Sequence, residues 1–178
     1  MPMNVEVVPF REEHLSFLEK IWRDPKVNKH TGMPAGGIDM GLWLKQYRTS
    51  KGCREFRSEQ YIILLDGGPV GETAFGLLPE SFMFGNWEKD LERPCALLDI
   101  KLLKPHWGKG IATIALREVI DTIFRETSAL DIVAIPYRYN RRATKLYRRC
   151  GLGPTGRSNS KGNLVYMIRK ERWLDGKD

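Results

Sequence analysis

The residues best placed to do chemistry form a short run, Lys104-Pro105-His106-Trp107-Gly108-Lys109-Gly110-Ile111-Ala112-Thr113, between an apolar strand pattern and a helical one. Backbone amides in the first turn of a helix have no partner inside the helix and point outward. With the helix dipole they make an anion site. Glycines at 108 and 110 let an anion approach without meeting a side chain, and Lys109 adds positive charge. A pyrophosphate suits such a turn. The phosphate loop with two glycines bracketing four residues before Lys-Ser/Thr is absent, and Gly-x-Gly-x-x-Gly fails because position 113 is Thr. Read alone, the turn serves equally as a tight strand-to-helix connection.

Two carboxylates stand out nearby. Asp99 is alone in the apolar stretch Leu97-Leu98-Asp99-Ile100. An aspartate there costs free energy unless it is paired or faces a cleft. It is therefore a candidate general base, with a lysine partner or solvent exposure as the structural alternative. Glu72, on the neighbouring predicted strand, is the second candidate. Arg138, Arg141, Arg142, Lys145, Arg148 and Arg149 cluster further on. Most suit a solvated helix face, and some, with Lys109, are placed to meet phosphates.

The elements that must position these residues follow from periodicity and turn chemistry. Residues 5–8 read as a strand. Residues 11–22 read as a helix, through Leu15, Leu18, Ile21 and Trp22. Asp24-Pro25 should end it, residues 31–41 should be a loop, and Leu42, Leu44 and Tyr47 suggest a short helix. Residues 61–65 and 70–78 flank Asp66-Gly67-Gly68-Pro69, a hairpin signal. Residues 79–94 form a long irregular connection, and connections of that length are often functional. After the apolar run 95–103, residues 108–125 repeat at three and four, an amphipathic helix. Residues 131–135 read as a buried strand stopped by Pro136. Asn140 can cap a helix over 141–150 with Gly151 as its stop. Residues 152–157 and 164–170 read as two final strands around a turn at 158–162. The expected whole is one α/β domain, with the strands at 95 and 131 parallel across a helical crossover.

Length and composition agree. The chain has 178 residues, enough for one core and short for two. Apolar residues make 42% and charged residues 29%, which argues against a disordered chain. No apolar run reaches membrane-helix length, and residues 1–10 show no signal-peptide pattern. A cytoplasmic protein without a membrane partner is expected. Cys53, Cys95 and Cys150 are odd in number and lack Cys-x-x-Cys spacing, so reduced thiols are expected, at least one of them in the core. His14, His30 and His106 show no metal-ligand spacing, and no metal is expected. The net charge is +7, divided as −2 over residues 1–90 and +9 over 91–178. The basic half favours an anionic partner. Charge alone fits a nucleic acid, a phosphorylated cofactor or an anionic surface.

The pairing of the glycine turn with Asn140-Arg141-Arg142-Ala143-Thr144-Lys145-Leu146-Tyr147 and the later Gly151-Leu152 resembles the GNAT acetyltransferase superfamily. There an Arg/Gln-x-x-Gly-x-Gly/Ala turn grips the pyrophosphate of acetyl-CoA. A later Asn-x-x-Ala-x-x-Leu-Tyr-x-x-x-Gly-Phe helix lines the pantetheine arm and thiol. Gly110 and Ala112 match the fixed small positions. Trp107 stands where the family has Arg or Gln, which shifts the expected weight from side chain to amides. Leu152 replaces Phe. Val8-Pro9-Phe10, the helix ending at Trp22 and Asp24-Pro25-x-Val27 resemble the branch of ribosomal-protein N-terminal acetyltransferases and aminoglycoside 6′-acetyltransferases.

The resemblance implies a single-domain GNAT fold over residues 1–178. Its mixed sheet has about seven strands, splayed between the fourth and fifth by a bulge in the fourth, and about four flanking helices. Acetyl-CoA is the implied co-substrate. Backbone groups near Leu102 and Leu103 would hold the pantetheine and polarise the carbonyl. Trp107, Gly108, Lys109, Gly110, Ile111, Ala112 and Thr113 would form the cradle, with Asn140 and Lys145 adding contacts. Tyr147 is the implied general acid, or else a core tyrosine. The base is Asp99, Glu72 or ordered water. Related aminoglycoside enzymes carry an Asp in this strand, offset by about one residue from the glycine turn. The implied reaction is direct acetyl transfer to the primary amine of a small molecule. The alternatives are a protein N-terminus as acceptor and a non-catalytic acetyl-CoA-binding module. Acceptor walls are expected at 31–41, 79–94 and 158–162. A nucleic acid partner is not expected, and a homodimer is left open.

Overall fold

The computed structural model describes residues 3–31, 34, 37–51, 57–79, 83–84, 87–88 and 93–176. Three antiparallel strands begin the sheet: β1 (Val5–Pro9), β2 (Ser58–Leu65) and β3 (Gly68–Leu77). The turn between β2 and β3 is Asp66-Gly67, both at positive φ (50° and 80°). That pair of conformations matches the twist of the flanking strands. β4 (Cys95–Leu102) pairs antiparallel with β3, and β5 (Asp131–Ala134) pairs parallel with β4. The last two strands, β6 (Gly153–Ser158) and β7 (Leu164–Arg169), complete the order β1-β2-β3-β4-β5-β7-β6.

The helices divide between the two faces. On one face α1 (Leu15–Arg23), the single-turn α2 (Pro25–Asn28) and α3 (Met40–Lys51) cover β2 and β3. Leu18, Ile21 and Trp22 of α1 pack there with Tyr47 of α3, Ile62 of β2 and Phe10. On the other face α4 (Ile111–Glu126) and α5 (Arg141–Arg149) pack with β3, β4, β5 and β7, burying Leu116, Ile120, Leu98, Ile132, Tyr147 and Tyr166 together. The period-two pattern of β4 divides its side chains accordingly. Ala96, Leu98 and Ile100 pack on the α4/α5 side, while Leu97 belongs to a separate apolar cluster on the opposite face. The chain ends in α6 (Lys170–Asp175), tied back by Trp173 Nε1 donating to Asp121 Oδ1 at 2.6 Å.

Several expectations change. Residues 12–14 form a 3-10 turn, and the α-helix proper starts at Leu15. Asp24 starts a helix as well as ending one. Its side chain accepts from the Lys26 and Val27 amides, so Pro25 becomes the first residue of α2, where its missing N–H costs nothing. The helix α3 reaches back to Met40, inside the expected 31–41 loop. Within 79–94, Met83–Phe84 and Trp87–Glu88 pair antiparallel as a small separate two-stranded sheet. The strand periodicity of β7 masked the turn into α6, so that helix went unpredicted. Cys95 and Cys150 are buried free thiols, while Cys53 lies outside the described residues. Among the described residues no helix is long and apolar enough to cross a membrane, and no cluster of metal-ligating side chains occurs.

Candidate active site at the parting of two strands

β4 and β5 are joined at one end only. Their register runs Cys95↔Asp131, Ala96↔Ile132, Leu97↔Val133 and then stops. The joined end is pinned by Arg93, whose Nη2 lies 3.0 Å from Asp131 Oδ1 and 3.0 Å from Glu171 Oε1. The Leu130 amide also donates to Pro94 O at 2.7 Å. At the other end Ile135 leads into Pro136, which has no N–H to continue a ladder. β4 runs on with β3 alone from Leu98 to Leu102, so the strands part from residue 98 onward. No bulge in β4 does this. The β3–β4 register is unbroken from Ala96 to Leu102, and the parting follows instead from the shortness of β5 and its proline stop.

The glycine turn stands at the open end of β4. Gly108 and Gly110 hold φ of 77° and 85°, the left-handed region that glycine occupies without strain. A methyl group added at either would meet nothing within 4 Å, so the space over the turn is open. Gly110 is the N-cap of α4, and its carbonyl accepts from the Thr113 and Ile114 amides. The amides of Ile111 and Ala112 precede those bonds and carry the positive end of a 16-residue helix. No acidic residue lies in the first turn of α4 or of α5. Gly108, Lys109 and Gly110 are exposed, Ile111 is buried, and Ala112 and Thr113 are half-buried.

Trp107 is a strut. Its Nε1 donates to Leu102 O at 2.7 Å, tying the turn to the end of β4. The Arg142 guanidinium of α5 lies over its ring, 4.6 Å from the centroid. The Leu103 amide donates to Val70 O at 2.9 Å. That Leu102 carbonyl and this Leu103 amide are thus committed within the protein, which narrows the backbone role expected of the two residues. Asn140 caps α5, its Oδ1 accepting from the Ala143 amide at 3.1 Å. Lys145 is exposed on the same helix.

Tyr147 is buried on the α4/α5 face, in the cluster that contains Leu98 of β4 and Ala134 of β5. Burial, and after it the negative charge of Asp99, holds its hydroxyl well above the ordinary tyrosine range. It therefore keeps its proton.

The two candidate carboxylates meet on the opposite face, joined by Lys101. Lys101 Nζ donates to Glu72 Oε1 at 2.9 Å and also pairs with Asp99 Oδ2. Burial opposes the lysine's charge, but Asp99 and then Glu72 more than offset it, and the ammonium stays well above the ordinary lysine range. Glu72 is 1% exposed. Its remaining partners are Trp22 Nε1, donating to Oε1 at 3.1 Å, and Gln60 Nε2, donating to Oε2 at 2.6 Å. Asp99 is different, with its side chain 56% exposed. It is both paired and open to a cleft.

That cleft, about 300 Å³, is lined by Trp43 and Tyr47 of α3, Glu59 of β2, Gly76 of β3, and Leu97 and Asp99 of β4, among others. Much of the expected acceptor walls at 31–41 and 79–94 lies outside the described residues. Sequence reading missed Lys101, Trp22, Gln60, Trp43 and Tyr47. The alternation Asp99, Lys101 within β4 was the available signal, since period two puts both on one face.

A family model described as an acetyltransferase (GNAT) domain matches residues 4–153. No curated protein matches the chain in sequence. Among solved structures, the chain is similar to the aminoglycoside acetyltransferase AAC(6')-Ib in complex with coenzyme A (17% identity over 98% of this chain and 100% of that one, TM-score 0.76). It is also similar to the Vibrio cholerae spermidine N-acetyltransferase in complex with CoA and spermine (14% identity, 96% and 98% covered, TM-score 0.72). A third is RimL, a ribosomal L7/L12 alpha-N-protein acetyltransferase in complex with coenzyme A (15% identity, 93% and 93% covered, TM-score 0.69).

Proposed function

The chain belongs to the GNAT acetyltransferase family, and from that premise we propose that it moves an acetyl group from acetyl-CoA directly to the primary amine of a small molecule. One observation carries the reading. β4 and β5 part beyond Leu97, with the Gly108–Gly110 turn at the open end of β4 and buried Tyr147 packed against both strands. An extended arm laid in the parting would have its phosphates at the turn and its thioester between Tyr147 and Asp99.

The residues take roles accordingly. The Gly108, Lys109, Gly110, Ile111 and Ala112 amides hold the pyrophosphate, with Thr113 completing the first turn. The charges of Lys109, Arg142 and Lys145 assist, and Trp107 fixes the turn to β4. Asn140 sets the start of α5 beside the arm, while Leu102 and Leu103 shape the strand end. Attack forms the N–C bond and breaks the C–S bond. The acceptor ammonium loses two protons, one to give the neutral amine that attacks and one from the adduct once the N–C bond forms, and the departing sulfur gains one. Tyr147, which keeps its proton at rest, supplies the sulfur's proton and is reprotonated by the one the adduct releases. Asp99 draws in the ammonium and accepts its proton through water, because its Oδ2 is held by Lys101. Glu72, sealed among Trp22, Gln60 and Lys101, positions Lys101 and through it Asp99.

The test is a panel of primary amines and free-N-terminus peptides with acetyl-CoA, read as released thiol, alongside calorimetric CoA binding. Turnover of small amines is expected. Preference for peptides would move the acceptor to a protein N-terminus. CoA binding with no turnover on any acceptor would leave a non-catalytic binding module.

A further inference from the structure

We propose that the cleft beside Asp99 is the acceptor site and that it selects an arylalkyl monoamine, a primary amine carrying one ammonium on a flat apolar body. This rests on the acetyl-transfer reading above. The first argument is position. Leu97 is the last residue of β4 paired with β5, and Asp99 lies two residues beyond; both line the cleft. The cleft therefore lies over β2, β3 and β4 beside the point where β4 leaves β5, on the face opposite Tyr147.

The walls give the second argument. Trp43 and Tyr47 stack, with ring centroids 5.2 Å apart and planes 9° from parallel. Trp43 is held edge-on against Trp22 at 5.0 Å and against Phe10 at 5.3 Å. The aromatic wall is thus fixed, and a rigid aromatic wall favours a flat apolar guest. The floor is small. A methyl group added at Gly76 would meet only Ser58 Cβ, at 3.9 Å. The volume of about 300 Å³ lies at the low end for small-molecule sites.

Charge decides between one ammonium and several. Among the described lining residues the carboxylates are Glu59 and Asp99. Glu59 is 11% exposed and its Oε1 is held by Arg57 Nε at 3.0 Å. Among these described residues Asp99 alone offers an exposed carboxylate. One ammonium finds a partner there, and the aromatic rings beside it favour the same cation. Among the described lining residues a second or third ammonium finds no other exposed carboxylate, and giving up its hydration there costs free energy. The chain's net charge of +7 adds repulsion for a polycation.

The experiment compares kcat/KM for 2-phenylethylamine and tryptamine with that for spermidine and kanamycin, by thiol release, in the wild-type chain and in Gly76→Leu. The arylalkylamines should be preferred by about 10-fold or more, and Gly76→Leu should lower their kcat/KM by about 10- to 100-fold, the span that one or two misplaced methylenes command. The CoA Kd should stay as in the wild type. Better use of spermidine or kanamycin would overturn the proposal while leaving acetyl transfer standing. So would arylalkylamine kinetics unchanged in a folded Gly76→Leu. Loss of all turnover in the wild type, with CoA still bound, would instead remove the acetyl-transfer reading and this proposal with it.

Discussion

The two faces of the sheet build their candidate sites from different atoms. On the α4/α5 face the proposed anion cradle is backbone: amides at the start of α4 and two glycines at positive φ, all from one short run of chain. On the α1/α3 face the cleft and the network behind it are built from side chains. Trp43, Tyr47, Gln60 and Asp99 line the cleft, and Trp22, Glu72 and Lys101 form the network, the seven arriving from five elements. Every peptide unit carries an amide, so a backbone cradle tolerates changes in side chain, and Trp107 can replace a basic residue without dismantling it. A side-chain site is tuned residue by residue and depends on each member. An invariant cofactor suits the first construction, and an acceptor that differs from relative to relative suits the second.

The sharpest way to break this comparison is to put a side chain into the backbone site. Gly110→Asp adds a carboxylate where the helix dipole attracts anions. Gly110 faces open space, so the fold bears only the left-handed strain, ~1–3 kcal/mol. CoA affinity should fall by about 1,000-fold, ~4 kcal/mol, with the thermal transition still cooperative. Near-normal affinity by calorimetry would remove the cradle from the cofactor reading altogether.

Lys101→Met asks whether the opposite face depends on its members as strongly. It leaves Glu72 buried without its counter-charge, and breaking one side of a buried pair costs about 3–5 kcal/mol. Denaturant unfolding should register that loss, and kcat/KM for the amine should fall while the CoA Kd moves little. A second change, Glu72→Gln in the same chain, should recover much of the stability by removing the stranded charge. Stability unchanged in Lys101→Met would mean that the network is dispensable.

Tyr147→Phe probes the point where the two faces meet. The ring stays and the proton source goes, so kcat should fall about 100-fold, ~2.7 kcal/mol, with the KM for acetyl-CoA nearly constant. Because the wild-type hydroxyl is held above the ordinary range, no alkaline loss of kcat from Tyr147 is expected below pH 10. An unchanged kcat in the phenylalanine variant would leave Tyr147 as a core residue only.

The contrast also explains what sequence could reveal. The Gly-Lys-Gly turn and Asn140 were legible because a helix start, its dipole and its cap are local, and spacing records them. The β2–β3 hairpin was legible for the same reason, through Asp66-Gly67. Asp99 stands out because a charge in an apolar strand is anomalous, and a lysine partner is the structural alternative for it, but nothing local says which lysine. Lys101 looked like a second interruption of the strand rather than the ion that holds Asp99 and Glu72. Trp22 read correctly as a core residue of α1, yet nothing local said that its Nε1 would end on Glu72, fifty residues away. Trp43 and Tyr47 took their meaning only from the strands beneath them. The β4 bulge came from resemblance, and the actual cause of the parting, a four-residue β5 stopped before Pro136, was already in the sequence.

The smallest expected effect tests whether side chains count at all on the cofactor face. Arg142 is exposed, seated over the Trp107 ring at 4.6 Å, in the first turn of α5 where the helix dipole disfavours a cation. An anion lying between the two helix starts would relieve that cost. Exposed charges contribute little, so Arg142→Ala should raise the KM for acetyl-CoA only about three- to fivefold, under ~1 kcal/mol. The KM for S-acetylpantetheine, which lacks the diphosphate, should not change. Trp107→Leu should reproduce the Arg142→Ala effect and add the loss of the Leu102 bond, since it removes both the seat and the strut. If Arg142→Ala instead costs 100-fold with acetyl-CoA and nothing with S-acetylpantetheine, a guanidinium carries the diphosphate. The division between a backbone face and a side-chain face would then fail at its most exposed residue.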